Sequence, residues 1–502
     1  MTLDSAFIIF GWVFIALALL VVFVPWFRGR EDLLTTKNLF VIGSINFFGV
    51  ASITTGSEGY YILPASGTDF LKFLFATVLF FLTFFVIYYR FKPPARWAAH
   101  GSTRIPDTGG FVVLPLALLG CFAGYLGISG LFFNVQFLGQ VTANLAVPIS
   151  TVSFGLVFWK WWTNRYNGLY FLVMLGFGLV MVVVATNTGT SRRPLLGLFS
   201  TVLIVMYWST LRYRTPGRVL SAMLIPAISA SVVISAYSVI RHQISAPSER
   251  NPIEVFASRI TEMMHAIKEK RASGSIIEGE TTVSCTLACI DQFENHGEPT
   301  YLHTFRFMIA NPVPRAWWPS WLGSKPEALG ESLPRDLRMW TRGYVNWGVG
   351  IIGHAYYDGG MWMVLVYGLI LGSAFRYLDE RLRIQPMNGF LVATVGAMGP
   401  NLLILSRGEL GLFGIELLAT AFSGWLIAKP AGFLFGTVEI ERPDDWADED
   451  AGGEFADHHP DPGPEGERPP PGGDGADGGG GPAPSPDPRP LAPLRPGPGF
   501  GS

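Results

Sequence analysis

At 502 residues the chain has room for about three soluble domains of ordinary size. Its composition excludes that arrangement: charged residues are 15%, where soluble domains carry about 25%, hydrophobic residues are 49%, and mean hydropathy is +0.35. The 36 Lys+Arg nearly balance the 38 Asp+Glu, so a net charge of -2 gives no global pull toward nucleic acid, and 3 cysteines exclude a disulfide-stapled scaffold.

Apolar stretches long enough to cross a bilayer core, about 20 residues as helix, recur along most of the chain. Eleven spans are expected, at 6–26, 39–57, 70–90, 111–129, 134–159, 167–187, 194–211, 218–240, 357–377, 388–405 and 410–428. The second is the weakest, diluted by Gly43, Gly49 and Gly56. The first is expected to be retained: Asp4 precedes it, Arg28 and Arg30 follow it, and no small-residue cleavage site is evident. The expected fold class is therefore an all-α polytopic membrane protein with about 11 transmembrane helices and one large extracytoplasmic loop. Helices one to eight fill 1–240, the loop 241–345, and helices nine to eleven 346–430. The remainder, 431–502, is expected to be a disordered cytoplasmic tail, because its Gly, Pro, Asp and Glu bring too little apolar surface to offset the entropy of ordering.

Lysine and arginine set the expected orientation. Clusters follow span one (Arg28, Arg30, Lys37), span three (Arg90, Lys92, Arg96, Arg104), span five (Lys160, Arg165), span seven (Arg212, Arg214, Arg218) and span nine (Arg376, Arg381, Arg383). Alternating helices put all five on one side, the cytoplasmic side of the inner membrane, with the N-terminus outside and the C-terminus inside.

Positive charge on the other side is then informative. Arg192 and Arg193 lie between spans six and seven, and Arg407 lies in the turn Ser406-Arg407-Gly408 between spans ten and eleven. Three guanidinium groups on charge-poor outer turns suit an anion such as phosphate, although interfacial anchoring is the simpler alternative. Glu416 is an ionisable group inside span eleven, which calls for a partner. It can pair with a neighbouring arginine, or serve as a base. Glu409, seven residues earlier, falls on the same helical face.

The outer loop opens on a helix signature. Asn251 can cap, Pro252 takes the first turn, and Ile253, Phe256, Ile260, Met263, Met264 and Ile267 recur at helical spacing. Cys285 and Cys289 are expected to be small buried thiols, bridged only if the backbone between them is not helical. The most distinctive stretch runs Asn311-Pro312-Val313-Pro314-Arg315-Ala316-Trp317-Trp318-Pro319-Ser320-Trp321-Leu322-Gly323-Ser324-Lys325-Pro326. Its prolines forbid a continuous helix, Arg315 and Lys325 supply fixed charge, and Trp317, Trp318 and Trp321 supply flat apolar faces suited to sugar rings or to a membrane interface.

This stretch resembles the Pro-Arg-x-x-Trp-Pro-x-Lys-Pro signature of the bacterial oligosaccharide repeat-unit polymerases, the Wzy-like O-antigen and exopolysaccharide polymerases. The following Arg342-Gly343-Tyr344-Val345-Asn346-Trp347-Gly348-Val349-Gly350 looks like that family's glycine-punctuated aromatic segment. The specific match covers about fifty residues, and Trp321-Leu322-Gly323 stands as an insertion that lengthens the path from Arg315 to Lys325. The resemblance implies a GT-C-like architecture and a membrane glycosyltransferase. Its substrate would be an oligosaccharide repeat on undecaprenyl pyrophosphate, and its partners the lipid bilayer and a chain-length regulator, with no nucleic acid.

On that reading the departing diphosphate is stabilised by Arg315, Lys325, Arg407 and Arg193, in that order, with Arg192 beside them. The acceptor hydroxyl needs a base or correct placement, from His354 first, then His303, Glu409 or Glu416. A satisfied structural histidine is the alternative for His354. The catalytic set is thus His354, Arg315 and Glu416, with Trp317 and Trp318 against the sugar. No acidic pair suits a divalent metal and no nucleotide-phosphate loop appears, so neither metal nor cofactor is expected. A lipid-linked glycan ligase is the main alternative, and a lipid flippase a weaker one.

Overall fold

The computed structural model describes residues 2–59, 61–100, 104–107, 110–129, 136–164, 167–187, 193–240, 254, 257–258, 260–262, 264, 281–296, 302–313, 317–336, 348–408 and 410–439. The tail expected over 431–502 is ordered at its start, where the last helix runs to Phe435 and Thr437–Glu439 form a strand. Residues from 440 onward lie outside the described ones, as do most of the residues expected to form the loop's first helix; those described between 254 and 264 are helical.

Each of the eleven apolar stretches lies on a helix. They are α1 (Leu3–Phe27), α2 (Thr36–Glu58), α3 (Gly67–Arg90), α5 (Gly110–Ile128), α6 (Gln136–Thr163), α7 (Gly168–Asn187), α8 (Arg193–Ser209), α9 (Pro216–Ile240), α13 (Ile351–Ile384), α14 (Gly389–Ile404) and α15 (Leu410–Phe435). Shorter helices are α4 (Pro93–His100), α10 (Thr282–His296), α11 (His303–Ala310) and α12 (Leu329–Asp336). Among the described residues, 8 helices are long and apolar enough to cross a membrane. The chain is an all-α, multi-pass membrane protein, apart from a short antiparallel ribbon that pairs Arg104–Pro106 (β1) with Thr437–Glu439 (β2).

The glycines that dilute α2 are its packing points. A Cβ on Gly43 would stand 1.8 Å from the Leu403 carbonyl oxygen, and one on Gly56 2.5 Å from that of Asp4. Bare backbone thus lets α2 sink between α1 and α14, and small residues are the usual means by which helices approach closely in lipid. A π turn at Ile45–Val50 interrupts α2 midway. α14 is the central helix, with almost all of its residues buried, against α8, α6, α15 and α2. α1, α3, α7 and α9 present leucines and other large apolar side chains outward, such as Leu20, Leu82, Leu172 and Ile225. Such faces suit a hydrocarbon solvent.

Contacts between helix ends sort into two groups. In the first, Asp379 at the end of α13 accepts from the Thr36 and Lys37 backbone N–H groups (2.6 and 3.2 Å) and from the Tyr88 hydroxyl (2.8 Å), capping α2 from another helix. Asp32 pairs with Arg212 (3.3 Å), and the β1–β2 ribbon joins the segment after α4 to that after α15. Lys37, counted above as a loop cation, is wholly buried against Glu31 and the Tyr89 hydroxyl. In the second group, Tyr61 donates to Asp4 (2.7 Å), Lys72 pairs with Glu294 (3.3 Å), and the Gly350 N–H donates to the Arg407 carbonyl (2.6 Å). The first group joins ends expected on one side of the membrane, the second ends expected on the other.

Candidate functional site

The site is built from a bare patch on α15. A Cβ on Gly411 would stand 2.4 Å from a Phe307 ring carbon and 3.2 Å from the Thr304 carbonyl oxygen; one on Gly414 would stand 3.1 Å from the Met308 sulfur. The patch lets α11 lie directly on α15. The residue after α11 is Asn311, the head of the proline-rich segment, and it forms part of the wall of a cavity of about 190 Å³.

The other walls come from α6, α8, α14 and α15 and include Asn144, Asn401, Thr420, Arg193 and Glu416. Arg193 is the first residue of α8 and donates from Nη1 to Glu416 Oε1 at 2.7 Å, while its guanidinium lies 4.9 Å over the Phe413 ring. The pair keeps 26% and 33% of its side-chain surface open, so both groups are reachable. Asn401 is buried on the same wall, and its amide oxygen has no hydrogen-bond partner among the described residues.

Comparison with family models, curated proteins and solved structures gives no match. The functional reading therefore rests on the residues themselves.

Lys325 reaches back to the segment's start, donating from Nζ to the Val313 carbonyl (2.7 Å) and the Asn311 carbonyl (3.3 Å). The inserted residues form a tight turn at Ser320–Leu322, with Gly323 at φ 78° and the Trp318 indole N–H donating to its carbonyl (3.1 Å). Only glycine adopts that backbone conformation cheaply. Trp317 and Trp321 are exposed. Arg407 lies elsewhere: its side chain packs on Gly348, and it does not line the cavity. Arg315, Arg192 and Glu409 lie outside the described residues, and α15 begins at Leu410. Of the cations expected at one anion site, the cavity thus takes Arg193, already neutralised by Glu416, and meets Lys325 through Asn311.

His354 is buried in a second polar cluster, off the cavity. Its Nδ1 lies 3.3 Å from the Thr304 hydroxyl, and its Nε2 is buried without a partner among the described residues. Asp358, one helical turn on, accepts the Thr304 N–H (3.3 Å) and the Tyr367 hydroxyl (2.6 Å). It caps α11 across the fold, at a point where Leu302 takes a left-handed conformation (φ 63°). α13 breaks just after Asp358, where Gly360 has φ 65°, and Tyr367 ties the halves together. His303 meets the Glu327 carbonyl through Nε2 at 3.0 Å, so that nitrogen carries the proton. Cys285 and Cys289 are buried free thiols on α10, and burial pushes Cys285 up to about 12, which leaves it unreactive.

Sequence reasoning missed Asn401, Asp358 and Tyr367. The signal for the first two was present: each is a polar group in an otherwise apolar span, and Asp358 precedes a Gly-Gly break.

Proposed function

We propose that the chain polymerises undecaprenyl-pyrophosphate-linked oligosaccharide units at the outer face of the cytoplasmic membrane, with eleven spans, the N-terminus outside and the C-terminus inside. The observation that carries this reading is the position of Asn311. The residue that opens the polymerase-like segment shares a cavity wall with the Arg193–Glu416 pair, at helix ends expected to face outward. The sorting of helix-end contacts into two groups supports the alternating topology.

In the reaction, an acceptor hydroxyl oxygen bonds to the anomeric carbon of the donor glycan. The bond from that carbon to the diphosphate oxygen breaks, and its electron pair leaves with undecaprenyl diphosphate. The hydroxyl proton passes to a nearby base or to water. Arg315 is the leading cation for the departing charge, because Lys325 is engaged with two carbonyls and Arg193 with a carboxylate. Loss of the gene tests the reading. Single carrier-linked repeats should accumulate on the outer leaflet, open to a membrane-impermeant oxidant. Repeats trapped on the inner leaflet would identify a flippase instead, and undiminished polymer would end the proposal.

A further inference from the structure

The cavity between α6, α8, α14 and α15 has the wrong charge for a diphosphate. Its guanidinium, on Arg193, is bonded at 2.7 Å to the Glu416 carboxylate, so the walls described carry no net charge and present an anionic oxygen to whatever enters. A diphosphate would meet Glu416 as a like charge in a poorly screened site. The rest of the lining is uncharged: the amides of Asn144, Asn311 and Asn401 and the hydroxyls of Thr151 and Thr420 lie among aliphatic Val147, Leu412 and Ile415. Asn401 is hydrogen-bonded to Glu416 through its side chain, which leaves its buried amide oxygen without a partner among the described residues. Between these groups, Pro148, Pro194 and Pro400 supply flat C–H surface. At about 190 Å³ the space falls below the roughly 300 Å³ at which pockets begin to enclose drug-sized ligands.

We propose that this cavity is a sugar subsite: it takes one uncharged, hydroxyl-rich ring, the terminal residue of the acceptor glycan, and not the diphosphate. The inference rests on the polymerase reading for the identity of that glycan. Glu416 accepts from a ring hydroxyl, Arg193 donates to another, the asparagine amides donate to and accept from others, and the prolines cover a C–H face. Donor and acceptor then occupy different places, with the phosphates held by cations outside this cavity and the incoming nonreducing end held inside it.

The test uses the full chain in lipid nanodiscs and two probes: the repeat oligosaccharide released from its carrier by mild acid, and inorganic pyrophosphate. Binding is read by saturation-transfer NMR on wild type, Asn401→Leu and Asn144→Leu. Asn144 is exposed, so the second variant does not rest on repacking a buried site. The proposal expects wild type to bind the oligosaccharide, both variants to weaken it at least tenfold, and pyrophosphate binding to stay unchanged. It is overturned if wild type fails to bind the oligosaccharide, if both variants bind it as wild type does, or if pyrophosphate binding is what the variants lose. A gene-deletion strain that still makes full-length polymer would remove the polymerase reading, whereas the binding result decides the subsite by itself.

Discussion

The Arg193–Glu416 pair is the polar contact on which the cavity's geometry depends, and a double-mutant cycle measures it. The contact is 2.7 Å, and the two side chains retain 26% and 33% of their surface. Fully exposed pairs contribute roughly 0–1 kcal/mol, and breaking a fully buried one costs about 3–5 kcal/mol. At this intermediate exposure we expect a coupling of about 2 kcal/mol, equivalent to about thirtyfold in the unfolding equilibrium. Arg193→Met and Glu416→Met should each destabilise the protein by roughly 2–3 kcal/mol, because each strands a charge among apolar helices. The double variant should lose roughly 2–4 kcal/mol, about 2 kcal/mol less than the two single losses summed, since two methionines fill similar volume without a charge to desolvate. The assay is reversible unfolding in mixed micelles of rising denaturing-detergent content, because a heating curve would report an irreversible rate. If the two single losses add to within about 0.5 kcal/mol, the residues do not interact and the neutral-cavity argument fails with them.

Two further outcomes follow from the packing and the electrostatics. Gly411→Val must push α11 off α15 by about 1 Å, from 2.4 Å to the 3.4 Å of ordinary contact, and should cut glycan polymerisation by about a hundredfold at unchanged protein level. Gly414→Ala meets only the flexible end of Met308 and should leave chain length nearly normal, as gel profiles of the polysaccharide would show. The hydrogen bond from Tyr356, helped by Lys72, holds the Glu294 carboxyl below the ordinary glutamate range. A depressed folded-state value means stability that is present above the unfolded value and lost as pH falls through the folded one. The protection factors of Thr282–His296, measured relative to intrinsic exchange at each pH, should therefore fall as the medium is acidified past the glutamate range, and Glu294→Gln should remove that dependence; an unchanged profile in the variant would refute the assignment.

The helices were legible because each carries its own hydrophobic run, and even the weak, glycine-diluted match of α2 to a span template left a readable helix. Its glycines lowered the hydropathy signal for the same reason that they matter in the fold: they remove side chains where backbones meet at Gly43 and Gly56. The link between Glu416 and an arginine was legible as a need for a partner, yet choosing Arg193 required knowing that α8 and α15 are neighbours. That proximity is a tertiary fact with no local pattern. His354 shows the opposite limit. Its place beside the glycine segment suggested chemistry, but its Nδ1 meets Thr304 on α11 and it does not line the cavity, a placement with no local sequence signal. Lys325 likewise read as an anion ligand from charge alone, whereas two carbonyls of its own segment lie within its reach.

The most direct measurement of the account is the length of glycan made by cells carrying Arg315→Ala. With the protein present at normal level, we predict that long chains disappear while single repeats on the lipid carrier persist. Full-length polymer from that variant would contradict the claim that a fixed cation in the proline-rich segment receives the departing diphosphate.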